Sequence, residues 1–184
     1  MVNLSLRSIQ AVILLDGEGN RVLAKYYGSE KTNLKQQKQF EKGLFEKTKR
    51  AQGEIILYDN QIVLYRSNID IFFYVVGSME ENELILLSML NAFYDAVSTL
   101  LRFVFIKKYK YQVEKRSVMD NLDLVILCLD ETVDEGIILE TDSNAIVSRV
   151  SKPRMDMVDI PFSEQTLMQA YQSAKDKFAN QLLR

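Results

Sequence analysis

The spacing of apolar positions changes several times along the chain, and each change marks an element. Residues 9–16 are a continuous run of strand-forming side chains. Gly17, Glu18, Gly19 and Asn20 supply a turn, and residues 21–27 follow with partial alternation, which predicts a β-hairpin. Over residues 34–50 the period becomes helical. Leu34, Phe40, Leu44, Phe45 and Thr48 fall near one face, while Lys35, Lys38, Lys42, Lys47 and Lys49 cover much of the rest. Gly43 sits inside this helix at some intrinsic cost. Residues 54–77 read as a three-strand meander (55–58, 61–66 and 69–76), with turns at Asp59-Asn60 and Ser67-Asn68.

The second half is mostly helical. Ser78-Met79-Glu80-Glu81 matches a capping box, in which Ser78 takes the amide of Glu81 and Glu81 reaches back. The helix that follows is apolar on nearly every side from Leu84 to Leu101. Glu83, Asn91, Asp95 and Arg102 interrupt it, which favours a buried helix over a membrane span. LDLVILCL, residues 122–129, suits a strand by composition. Asp120, Asp123, Asp130, Glu131 and Asp134 nevertheless return at helical spacing, with Leu122, Ile126, Leu129 and Val133 on another face. A helix is therefore predicted, with Gly136 as its terminator. Asp142 or Ser143 caps a short helix through Val150. Residues 151–161 hold both prolines and read as a connector. Ser163 then caps a last amphipathic helix with Leu167, Tyr171, Ala174, Phe178 and Leu182 in register. The order predicts an α+β domain over residues 1–150, an antiparallel sheet carrying helices on its faces. Residues 151–184 add a connector and a C-terminal helix that packs on or beside it.

Composition narrows the chemistry. The 184 residues contain no histidine, which removes the commonest general base, nitrogen ligand and nucleophile activator. No catalytic residue, cofactor or metal ion is expected. The single cysteine, Cys128, lies in an apolar run and reads as a buried structural thiol in a reducing compartment. The opening MVNLSLRSIQ lacks a signal-peptide layout, so a cytoplasmic protein is expected. A net charge of −2 gives no bulk attraction to nucleic acid.

Four further features carry a sharp and a bland reading. Gly17-Glu18-Gly19 lacks the lysine and the following helix of a phosphate loop and reads as a turn. Asp130, Glu131 and Asp134 read as a solvated helix face before a cation site. The lysines of the first helix, with Lys107, Lys108, Lys110, Lys115 and Arg116, read first as a solvated face. Contact with an acidic partner or a membrane surface comes second. Tyr26, Tyr27, Phe40, Phe45, Tyr58 and Tyr65 are mostly core, and some are candidate anchors of a partner interface.

Four stretches carry a resemblance. VILLDGEGNRVLAKYY (12–27), QKQFEKGLFEKT (37–48), NIDIFFYVVGSMEENEL (68–84) and LDETVDEGIILETDSNAIVSRV (129–150) closely resemble the zeta subunits of coatomer. More broadly they are similar to the longin-type small subunits of clathrin adaptors. The terminal helix points to zeta over the adaptor sigma chains, and FVFIKKYKYQ (103–112) stands as an insertion that either extends the central helix or lengthens a loop. The resemblance implies a longin-like fold with about five strands and helices on both sheet faces, plus the extra C-terminal helix. It implies a non-enzymatic coat subunit that pairs with the gamma subunit of coatomer, within a complex of other coatomer subunits. An Arf-family GTPase would act indirectly through that complex, and the protein would be peripheral on Golgi membranes and coated vesicles. The insertion keeps a sorting-signal pocket from being carried over. The alternatives are a clathrin-adaptor sigma chain or a tethering-complex subunit and, in other classes, a small hydrolase or a nucleic-acid module.

Overall fold

The computed structural model describes residues 6–27, 33–51, 53–104 and 113–151. Strands β1 (Ala11–Asp16) and β2 (Arg21–Tyr26) form the N-terminal hairpin, and β3 (Ile55–Tyr58), β4 (Gln61–Asn68) and β5 (Ile71–Ser78) form the meander. They join in one antiparallel sheet of order β2-β1-β5-β4-β3. Strand β1 therefore lies inside the sheet, and all six of its residues are buried. Its unbroken apolar run follows from having both faces covered.

The two faces have separate cores. Helix α1 (Leu34–Thr48) lays Phe40, Leu44 and Phe45 on Ala11, Ile13, Leu15, Val63, Tyr65, Tyr74 and Val76. The opposite face carries α2 (Glu83–Val104), α3 (Lys115–Asp120), α4 (Leu122–Thr132) and α5 (Ser143–Val150), packed over Val12, Leu14, Ile62, Leu64, Phe73 and Val75. Phe73 meets Phe93 and Tyr94 edge-on at 5.7 and 5.2 Å. Truncating a ring buried like Phe93 costs about 3–5 kcal/mol. The fold is the expected longin-like α+β arrangement. Helix α2 has the length and composition to cross a membrane, yet half of that span is buried inside the domain.

Several local expectations are corrected. Ser67 and Asn68 belong to β4, because Asn68 pairs with Ile71, and the turn is Ile69-Asp70. Asp59 and Asn60, at φ 52° and 59°, form the two-residue hairpin turn expected of them. Ser78 ends β5 and does not cap α2. Its hydroxyl accepts from the Glu80 amide, and Asn82 takes the helix amide of Leu84 at 2.9 Å. Leu34 is exposed, and Glu41 instead joins the buried face of α1.

Helix α4 buries Val125, Cys128, Leu129 and Thr132, leaving Ile126 exposed. Its packing against both α2 and α5 turns the core face away from the line of acids. Gly136 terminates no helix. The chain leaves α4 at Thr132 into a small hairpin, β6 (Val133–Asp134) and β7 (Ile137–Ile138), turned by Glu135 and Gly136 at φ 48° and 82°. A Cβ at Gly136 would lie 2.5 Å from the Ile9 carbonyl oxygen, so the close approach of the N-terminal segment also requires glycine. Asp142 caps α5, accepting from the Asn144 amide at 2.9 Å. By its contacts the chain divides into two units, Met1–Lys152 and Pro153–Arg184. The C-terminal helix expected from Ser163 lies outside the described residues. So does the insertion beyond Val104, while α2 extends through Phe103 and Val104.

Candidate interaction surfaces

Helix α1 is held to its sheet face by one buried ionic contact as well as by its apolar residues. Glu41 lies inside the α1–sheet layer. Arg21 Nε on β2 donates to Glu41 Oε2 at 2.9 Å, and Tyr26 Oη donates to Glu41 Oε1 at 2.8 Å. Burial, then the neighbouring Glu41 carboxylate, pushes the Tyr26 phenol far above its ordinary value, so it stays a donor. Phe40 packs on Tyr58 with ring centroids 5.2 Å apart, and Phe45 meets Phe72 edge-on at 5.4 Å.

The six aromatic candidates thus separate. Phe40, Phe45 and Tyr65 are buried in the core beneath α1, where Tyr65 stacks on Tyr74. Tyr26 and Tyr58 border that core and keep partial exposure. Tyr27 packs instead against the core of the other face, where Lys25 Nζ lies 5.4 Å from its ring centroid.

A second polar node ties the ends of two hairpins to the start of α3. Asp16 Oδ1 accepts from the amides of Glu18 and Asn20 at 2.9 and 2.8 Å, which shapes the turn after β1. Its Oδ2 accepts from Lys115 Nζ at 2.8 Å, although the two residues are 99 apart in sequence. Asp70, in the β4–β5 turn, accepts the Lys115 amide at 2.8 Å and through its carbonyl the Gly17 amide at 2.8 Å. Asn68 donates to the Val113 carbonyl at 3.0 Å. Burial raises the Asp16 pKa, but the Lys115 ammonium and the turn amides outweigh it and hold the carboxyl at about 2. The sequence reading placed Lys115 among solvated lysines and missed Asp16. An aspartate ending a strand just before Gly-Glu-Gly-Asn was the available signal.

The remaining charges disperse. Asp130 answers Lys25 at 2.6 Å, while Glu131 and Glu140 meet Arg149 at 3.4 and 3.0 Å. Asp130, Glu131 and Asp134 therefore do not converge on a point, and no group of three acids, cysteines or histidines suited to a metal occurs among the described residues. Gly17-Glu18-Gly19 leads into β2. Lys107, Lys108 and Lys110 lie outside the described residues. Cys128 is fully buried, and burial pushes its thiol up to about 12.

One stretch of exposed apolar surface remains at the sheet edge. Ile55 and Leu57 on β3 are 48% and 62% exposed, on the face that α2 covers only as far as β4 and β5. The Tyr65 amide donates to the Glu54 carbonyl, and β3 pairs with β4 in simple antiparallel register. The backbone groups of Ile55 and Leu57 therefore point away from β4, to the open edge.

Comparison with known proteins matches this arrangement end to end. The family of clathrin adaptor complex small chains matches residues 8–157. Coatomer subunit zeta-1 of Homo sapiens is 42% identical over 180 residues, spanning 98% of this chain and 96% of its own. Coatomer subunit zeta of Saccharomyces cerevisiae is 38% identical over 193 residues, spanning 99% and 98%. Among structures, a homology model of the full-length AP-3 complex in a stretched open conformation contains a chain alike in fold. The TM-score is 0.58 at 19% identity, covering 92% of this chain and 98% of that one. The chain belongs to the clathrin adaptor small-chain family, and within it to the coatomer zeta subunits.

Proposed function

We propose that this chain is a non-enzymatic small subunit of the coatomer vesicle coat. In this reading it pairs directly with the trunk of the gamma subunit and supports Arf-GTP-dependent coat assembly for Golgi-to-ER and intra-Golgi transport. The observation that carries the reading is the near-full-length similarity to coatomer zeta subunits at about 40% identity. The geometry supports a bracing role. Buried acid–base contacts lock the helices onto the sheet, and the open edge of β3 leaves apolar surface for a large partner. Tyr26, Tyr27 and Tyr58 keep surface beside their own cores and are the aromatic anchors we assign to that partner, with Phe40, Phe45 and Tyr65 supporting them from below.

Co-purification tests this. Full-length chain expressed with a gamma-coatomer trunk should elute as one stoichiometric complex, whereas the chain alone should aggregate or bind apolar dyes. Tyr58→Ala or Leu57→Asp should weaken the complex by about 2 kcal/mol or more. A chain that stays soluble and monomeric alone and ignores the trunk overturns the reading.

A further inference from the structure

Helix α1 carries a one-sided line of positive charge that nothing in its own fold explains. Lys35, Lys38, Lys42 and Lys49 are all exposed, and Lys49 continues the helical path at the C-cap with φ −61° and ψ −17°. At roughly 100° per residue these four fall within about 60° of arc, over about 21 Å of helix. Among the described residues, Glu46 pairs with Lys49 at 2.8 Å, and no ion pair forms at Lys35, Lys38 or Lys42. The other carboxylate of the helix, Glu41, is buried and committed to Arg21.

This arrangement is unfavourable within the isolated domain. Like charges at i,i+3 and i,i+4 repel, and a lysine in the first turn opposes the helix dipole, with no acid there to offset it. The charge is also segregated. The chain as a whole is at −2, while exposed acids such as Asp95, Asp120, Asp123 and Asp130 ride on the helices of the opposite sheet face. Such a molecule turns α1 toward any anionic plane.

The residue types select the plane. Protein interfaces are depleted in lysine and use arginine for fixed, bidentate pairing. Every cation in this stripe is lysine, and its exposed neighbours Gln36, Gln39 and Glu46 are polar. Hydrated point charges with a single exposed apolar neighbour, Leu34 at the helix start, suit a diffuse, fluid layer of phosphate and carboxylate headgroups better than a packed protein face. We propose that the lysine stripe of α1 rests against the headgroups of an anionic lipid bilayer. The proposal goes beyond the coat reading and is tested separately from it, by vesicles rather than by co-purification.

The full chain is mixed with phosphatidylcholine vesicles, either pure or with about one-third phosphatidylserine, at about 0.1 M salt, and floated on a density gradient that leaves any aggregate behind. Binding is expected only to the anionic vesicles, weakening steeply as salt is raised. The double variant K38Q/K42Q should weaken it about 25-fold, roughly fivefold per lysine. K38R/K42R should restore it. R102Q/R116Q, which removes equal charge from the other face, should leave it nearly unchanged. Equal binding to both vesicle types, or equal losses in the two glutamine variants, overturns the proposal. So does a K38Q/K42Q variant that keeps its vesicles but loses its protein partner, which would assign the stripe to an acidic protein surface.

Discussion

Tyr58 on β3 lays its ring across Gly43 of α1 so closely that a Cβ at position 43 would lie 1.9 Å from the phenolic oxygen. Glycine is here a packing requirement, and the contact explains a residue that weakens the helix by its own propensity. In the wild-type background, Gly43→Ala should displace Tyr58 from Phe40 and lower stability by about 1 kcal/mol. In a Tyr58→Ala background the same change should raise stability by about 1 kcal/mol, the intrinsic preference of a helix for alanine. Denaturant unfolding of the four proteins checks the change of sign.

The floor of the same layer holds a hydroxyl pair. Thr48 Oγ donates to the Leu44 carbonyl at 3.0 Å, which leaves Tyr74 Oη to donate to Thr48 Oγ at 2.7 Å, all buried. Thr48→Val should strand the Tyr74 hydroxyl and cost about 1–3 kcal/mol. Adding Tyr74→Phe should recover much of that loss. A double-mutant cycle showing no coupling between the two would contradict this account.

Asp16 makes the fold sensitive to acid. Its carboxyl is held at about 2 in the folded chain and lies near 3.9 when unfolded. The unfolded state therefore binds the proton more readily, and the stabilisation is complete above about pH 5 and is lost as the pH falls toward 2. Asp16→Asn should reduce stability by about 2 kcal/mol at pH 7 and by about half as much at pH 3. Urea titrations of both proteins at the two pH values measure it, and a gap that does not narrow with acid would be inconsistent with the Asp16–Lys115 contact.

Cys128 offers a probe of opening. It is fully buried, and burial holds its thiol at about 12, so the thiolate is scarce at neutral pH. A maleimide reagent at pH 7.5 should leave native protein unmodified and label it fully in denaturant. The slow native-state labelling rate should track global stability across the variants above. Fast labelling of the native protein would place Cys128 nearer solvent than its packing allows.

The elements legible in the sequence are those that local chemistry determines. Asp59-Asn60 turns because those residues tolerate positive φ, and Asp142 caps α5 because its side chain reaches an amide two residues on. Where local signals competed, tertiary contacts decided. Ser78 and Asn82 are both competent caps, and pairing of Ser78 with Gln61 across β4–β5 assigned Ser78 to the sheet. Gly136 looked like a helix end because nothing local announces a hairpin of two-residue strands, while the approach of Ile9 becomes visible only once the N-terminal segment is in place. Glu41 was not among the residues expected on the buried face of α1, because its partner, Arg21, lies 20 residues away on another element. The aromatic candidates were recognisable as a class, but which ones the domain keeps for itself depends on where α1 crosses the sheet.

Three contacts fix the point at which the chain re-enters the fold after α2. Asn68 holds the Val113 carbonyl, Asp70 the Lys115 amide, and Asp16 the Lys115 ammonium. Sheet residues thus set the re-entry point, whatever the length of chain that leads to it, and closing a longer connection adds little entropy. The stretch between Val104 and Val113 should therefore serve as a splice port. An epitope or half of a split fluorophore inserted there should leave strand register, α1 and the β3 edge as they are, so that the subunit can be followed in living cells.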